Sequence, residues 1–177
     1  MLDLLYRRRS IRSFLSRKVT AERMDKLVQG LLLSPSGRGK RPWEFVVVDD
    51  ADIILKLSES KKHGSAFLKG APLAVVVLGK PEKSDTWIED TSIASTLCLL
   101  VAESLGLGAC WIQIRGREYE HGVPSESYIR DLLTVPVNYS VESIIAVGDP
   151  AETLPPYKKD DLMFDKIHRN VFETTVP

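Results

Sequence analysis

The chain has 177 residues, an apolar share of 44% and balanced charge, with 24 Lys plus Arg against 24 Asp plus Glu. That length and apolar content suit one domain with a real core, and the balance leaves no overall field to hold nucleic acid or an anionic membrane. Two cysteines are too few for a stapled secreted domain and no apolar run approaches a leader or a membrane span, so the expectation is a soluble, cytoplasmic protein whose Cys98 and Cys110 are buried free thiols.

Residues 1–9 read as a short helix, whose end overlaps the run Arg7-Arg8-Arg9-Ser10-Ile11-Arg12. Thr20 is a candidate N-cap, with Glu22 in the first turn to complement the helix dipole. Met24, Leu27, Val28, Leu31 and Leu32 then recur at the spacing of one buried helical face, which Pro35 stops. The loop SPSGRGKRPW leads to an apolar run at 45–48, and a second run at 73–78 follows Ala71-Pro72; both predict buried strands. Between them Asp50 is expected to cap a helix to about Leu57, whereas SESKKHGSAF at 58–67 has no periodic signal.

Asp85 is expected to cap a longer helix ending at Leu105, with Gly106 as its left-handed C-terminal cap. Within it IASTLCLLVA, 93–102, is apolar or small nearly all round, which predicts a central helix rather than a one-sided surface one. A strand at 109–114, a helix at 125–133 capped by Ser125 and a strand at 141–147 complete the order. The tail from Asp149 is rich in proline and charge, yet it carries Met163, Phe164, Ile167 and Phe172 and is expected to wrap over another surface. Four strands and about five helices without a repeat period predict one layered α+β domain spanning 1–177.

Several chemistries lack their residues. Ser34 and Arg41 stand where a Walker loop needs Gly and Ser or Thr around Gly39-Lys40, and GLGACW lies after a helix and before a strand, the reverse of a dinucleotide fingerprint. His63, His121 and His168 are scattered, neither cysteine has a second ligand at metal-site spacing, and no GxSxG is present. The arginine cluster alone suits a solvated helix end, but Ser10 set among Arg8, Arg9 and Arg12 also has the composition of a phosphate-monoester clamp.

The blocks RRRSIRSF (7–14), SPSGRGKRPWEFVVV (34–48), AP (71–72), WIEDTSIASTLCLLVAESLGLGACWIQI (87–114) and AVGDP (146–150), with KIHRNVF (166–172) as a weaker sixth, together resemble the nitroreductase family over nearly the whole chain. That resemblance implies an FMN-dependent oxidoreductase using NADH or NADPH to reduce nitroaromatics, quinones or similar small electron acceptors. It further implies an intertwined homodimer with a central mixed or antiparallel sheet flanked by helices, two FMN molecules at the subunit interface, and a tail from about 149 to 177 crossing to the partner. No nucleic-acid or membrane partner is implied.

By position, the resemblance makes Arg8 and Ser10 phosphate contacts with Arg9 alongside, and Arg12 a cation near the flavin pyrimidine. Pro35, Ser36 and Gly37 match the loop that covers the flavin from the other subunit, followed by Arg41 and by Trp43 of the PW signature. Gly108, Cys110 and Trp111 lie where the chain passes the flavin, and Lys166 and His168 resemble a basic pair completing the phosphate site. Gly39 and Arg41 replace the family's frequent Asn and Gln, which leaves a second reading open, a non-enzymatic FMN-binding or regulatory protein of the same fold. Because the cofactor carries the chemistry, no catalytic side chain is assigned.

Overall fold

A computed structural model describes residues 1–172. Strands β1 (Trp43–Val48), β2 (Leu73–Gly79), β3 (Gly108–Gln113) and β4 (Ser140–Gly148) form one antiparallel sheet in the order β1-β2-β4-β3. The α+β class and the sheet flanked by helices are therefore as expected, with antiparallel pairing throughout. The inner strands β2 and β4 are covered on both faces, so they read as near-continuous apolar runs rather than alternations. Helices α3 (Ala51–Ser58) and α5 (Ser125–Leu133) complete a core with Val76, Ile112 and Ile144 on one face. On the other face α2 (Ala21–Leu32) and α4 (Trp87–Ser104) pack Leu27, Leu31 and Cys98 against Val75, Val77, Ile145 and Val147. The short α1 (Leu2–Arg7) rests on α4.

Local chemistry accounts for most of the boundaries. Thr20 Oγ1 accepts from the Arg23 N–H at 3.4 Å, and Asp50 Oδ1 accepts from the N–H groups of Asp52 and Ile53 at 3.0 Å each. Gly106, at φ +70°, ends α4, and the Leu107 N–H returns to the Ala102 carbonyl at 2.9 Å. Two expected caps are corrected. Helix α4 begins at Trp87, with Thr86 rather than Asp85 in the cap position. The acid that matters there is the buried Asp90, which accepts from the Gly37 N–H at 2.8 Å and from Thr86 Oγ1 at 3.2 Å. Ser125 is the first residue of α5, not its cap, because extended Pro124 precedes it; its N–H donates to the Arg117 carbonyl at 2.9 Å, and its buried Oγ has no partner among the described residues.

The register between β2 and β4 shifts so that Val77 faces Ser143 while Leu78 faces Val141, leaving Glu142 as an extra residue in the ladder. Glu142 is only 3% exposed and its Oε2 has no hydrogen-bond partner among the described residues. Burial pushes its carboxyl above the ordinary range, with Ser143, Arg115 and Ser92 opposing in part. A raised folded-state value means that stability is full below the unfolded carboxylate pKa and is lost as pH rises through the folded one. Glu142→Gln is therefore expected to match the parent's thermal stability near pH 4 and to exceed it by on the order of 1 kcal/mol above neutrality. Thermal unfolding of both proteins across that range checks this.

After α1 an extended arm crosses the ends of β3 and β4. The Ile11 N–H donates to the Ala109 carbonyl at 3.1 Å and the Leu15 N–H to the Asp149 carbonyl at 2.9 Å. Arg17 Nε and Arg23 Nη1 close on the buried Asp149 carboxylate at 2.5 and 2.9 Å, and the Arg17 hydrogen bond leads in holding that carboxyl below its usual range. The tail divides. Through Tyr157 it follows its own chain's N-terminal segment, with the Ala151 N–H on the Ser13 carbonyl and the Tyr157 N–H on the Tyr6 carbonyl, both at 2.9 Å. Beyond that, Leu162, Met163, Phe164, Ile167, Val171 and Phe172 are exposed, as are Leu32, Leu33 and Ile93 of the helical face. The proximal tail therefore lies on its own chain, and the last five positions, 173–177, lie outside the described residues.

Candidate functional site

The arm is held flat against the edge strand. Ser10 forms a parallel bridge with Ala109, and Gly108 is the reason it can: a Cβ there would sit 2.7 Å from Ile11 Cγ2. This docking gathers Arg8, Ser10 and Arg12 around Cys110, whose thiol is 2% exposed. Burial pushes that thiol up, while Arg12, the Ser10 hydroxyl, Arg8 and Lys61 pull it back. Cys98, fully buried in the helical core without such neighbours, is pushed up to about 12. Cys98 is the more deeply enclosed of the two, and only Cys110 has cationic neighbours. Both thiols are buried and free, as expected.

The four arginines divide by what they touch. Arg7 pairs with Glu103 at 3.5 Å, and Arg9 donates to the Pro155 carbonyl and stacks 4.6 Å from the Tyr157 ring centroid. Arg9 is thereby committed to the tail. Arg12 Nη1 folds back to the Ser10 carbonyl at 3.3 Å, its guanidinium 5.8 Å from the centre of Phe67. Among the described residues, no carboxylate reaches ion-pair distance of the Arg8, Arg12 or Lys61 side chains.

Lys61 was not singled out from sequence, because it lies in the aperiodic stretch at 58–67. The fold brings it under β3, where its half-buried ammonium donates to the Gln113 carbonyl at 3.1 Å; burial first, and Arg117 second, push its pKa down. The Arg8 guanidinium and the Ser10 hydroxyl form a donor pair suited to a phosphate monoester, with Arg12 and Lys61 adding positive charge beside it and Glu152 engaged by the Arg12 and Ser13 N–H groups.

A model of the nitroreductase family matches residues 5–64 and 56–149. The chain belongs to the nitroreductase family. An FMN-dependent nitroreductase from Clostridium difficile is 46% identical, with a TM-score of 0.96 over 97% of this chain and 100% of that one. A protein of Archaeoglobus fulgidus, provisionally named NADH dehydrogenase/NAD(P)H nitroreductase, is 35% identical over 95% of this chain and 96% of its own. A more distant relative, the iodotyrosine deiodinase of Thermotoga neapolitana, is 23% identical over 92% of this chain and 95% of its own length. The chain is accordingly an oxidoreductase of the nitroreductase family, as its sequence blocks implied.

The remaining candidates of this nitroreductase chain lie elsewhere. Pro35, Ser36 and Gly37 form a turn beside β1, the sheet edge opposite β3. Ser36 Oγ accepts from the Arg41 N–H at 2.8 Å, while Gly37 leaves no room for a Cβ, which would meet Thr86 Oγ1 at 2.4 Å. Arg38, Gly39 and Arg41 all have positive φ, at 53°, 66° and 47°, and Lys83 Nζ secures the Arg41 carbonyl at 2.9 Å. The loop is held by its backbone groups, with Gly39 and Arg41 both in the left-handed region. Trp111 projects from the face of β3 opposite Cys110, packing on the helical core with its Nε1 on Gln113 Oε1 at 3.0 Å. Trp43 is buried and stacked on Phe45 at 5.4 Å. Lys166 is exposed in the distal tail, His168 stacks on Phe172 at 4.3 Å, and neither is hydrogen-bonded or ion-paired to the arm among the described residues.

Proposed function

We propose that the protein is an FMN-dependent NAD(P)H oxidoreductase that passes two electrons to small electron-poor acceptors such as nitroaromatics or quinones. The observation that carries this reading is the gathering of Arg8, Ser10, Arg12 and Lys61 around Cys110 at the edge of β3, their cationic side chains unpaired with any carboxylate among the described residues while Glu152 is engaged by the Arg12 and Ser13 N–H groups. FMN has one phosphate monoester, and this donor set fits it. The names of the Clostridium difficile and Archaeoglobus fulgidus relatives support the same cofactor and donor.

When bound, FMN supplies the redox relay, taking a hydride from NADH or NADPH and releasing two electrons to the acceptor. The chain's own groups bind, orient and polarise. Arg8 and Ser10 would hold the phosphate, the docked arm fixing both side chains to the rigid edge of the sheet. Arg12 and Lys61 supply positive charge that favours the reduced, more anionic cofactor and so raises its reduction potential.

The functional unit of this reading is a homodimer in which the loop at 35–41 covers the partner's cofactor. Its position at the far sheet edge and the exposed apolar side chains of Leu32, Leu33, Ile93 and the distal tail support that arrangement. The purified protein is expected to be yellow, to sediment at twice the chain mass, and to bleach rapidly when mixed anaerobically with NADH or NADPH. Stopped-flow absorbance decides the chemistry. A preparation that binds FMN yet stays yellow with both nucleotides would favour the non-enzymatic reading, and one that takes up no FMN would reject both.

A further inference from the structure

Beyond the clamp, a cleft of about 330 Å³ opens beside the end of β3, lined by Lys61, Lys62, His63, Gln113, Arg117 and Glu118. Its single acid is already engaged. Glu118 accepts from Lys62 Nζ at 2.6 Å and from the Gly122 N–H at 2.8 Å, contacts that hold its carboxyl below the usual range. Lys61 and Arg117 have no such partner. Glu59 and Glu120 line an adjoining hollow, but among the described residues no carboxylate comes within ion-pair distance of either cation.

The Lys61 ammonium and the backbone that carries Arg117 are both held in place. Lys61 is half-buried and pinned to the Gln113 carbonyl at 3.1 Å. The Arg117 backbone is fixed at both its groups: its N–H donates to the Ile114 carbonyl at 2.9 Å, and its carbonyl accepts from the Ser125 N–H at 2.9 Å. Gly116, at φ +69°, makes the tight turn that brings Arg117 back beneath the strand end. The Lys61 ammonium is disfavoured first by burial and second by repulsion from the neighbouring Arg117. An anion entering the cleft relieves that repulsion.

We propose that Lys61 and Arg117 recognise a carboxylate on the acceptor, so that the preferred substrates are anionic, electron-poor aromatics rather than neutral ones. The proposal rests on the oxidoreductase reading above and deepens it. Lys61 is the link between the two sites, since the Gln113 carbonyl that holds it belongs to the same strand, β3, as Cys110 inside the clamp. A carboxylate held by Lys61 and Arg117 therefore lies next to the cofactor site, while its hydrogen bonds are charge-assisted on both sides.

The test compares 4-nitrobenzoate with 4-nitrobenzamide, a neutral compound of nearly the same shape, on the FMN-loaded protein. The ratio of their kcat/KM values is expected to favour the benzoate by about tenfold or more. Arg117→Gln and Lys61→Met should each bring that ratio towards one, and benzoate should perturb the flavin absorbance at lower concentration than benzamide. A parental ratio of one or less overturns the proposal. So does a ratio unchanged in Arg117→Gln, the substitution farther from the clamp. A shift in NADPH-over-NADH preference without a change in the nitrobenzoate ratio would assign the cations to the nucleotide's phosphate and also overturn it. If NADH and NADPH both fail to bleach the loaded protein, the reading as an NAD(P)H oxidoreductase fails, and benzoate binding still tests the cleft by itself.

Discussion

Replacing Arg8 and Ser10 together by Ala is expected to leave a folded protein whose affinity for FMN falls at least about a hundredfold, since charge-assisted hydrogen bonds contribute roughly 1.5–3 kcal/mol each. Neither side chain supports the core: both are half-buried, and the arm is anchored instead by the Ile11 N–H and by the Asp149 clamp. Thermal unfolding of the apoprotein should therefore stay close to the parent. A flavin fluorescence titration measures the affinity, with Arg7→Ala as the control, because Arg7 is already paired with Glu103 and its loss should matter little. Unchanged FMN affinity in the double variant would remove these residues from the phosphate site.

Gly108→Val is expected to damage the same affinity from underneath. A branched side chain at that position drives into Ile11, whose three nearest atoms stand 2.7, 2.9 and 3.1 Å from where the Cβ would lie. Ile11 is itself buried, so the collision lifts the arm rather than being absorbed, at a cost of ~1–3 kcal/mol of stability. The loss of Ser10 and Arg12 from their places should lower FMN affinity by about tenfold or more on the same hydrogen-bond scale. Gly106→Ala is the informative contrast. At φ +70° it is strained, costing ~1 kcal/mol, but its Cβ meets nothing within 4 Å, so FMN affinity should hold. Equal loss of affinity in both variants would mean that general destabilisation, not arm displacement, is responsible.

How much of this was legible in the sequence depends on the range of the interaction. Thr20, Asp50 and Gly106 act on backbone groups within a turn of themselves, and each does what its local pattern implies. Asp85 and Ser125 carry the right chemistry at the wrong position, because the neighbouring Thr86 and Pro124 take the cap and tertiary contacts recruit Asp90 and the Ser125 N–H. The family blocks pointed to Arg8, Ser10 and Arg12, with Arg9 alongside, but not to what Arg7 and Arg9 would touch. That was settled by Glu103, Pro155 and Tyr157, which are remote in sequence. Lys61 left no trace in the periodicity, since it depends on a carbonyl of β3.

The docked arm has a consequence for how the protein comes into being. Ser10 pairs with Ala109, and the adjoining Leu15 waits for the Asp149 carbonyl at the end of β4. Ser10 and its neighbours thus precede β3 and β4 in the chain, and their docking surface is complete only when both strands have formed. Such long-range closure is slow and comes late. Cofactor capture follows assembly of the sheet instead of guiding it, and it then draws the finished fold towards its native state by mass action. Flavin scarcity would accordingly be felt as shorter survival of newly made chains, not as a failure to build the sheet.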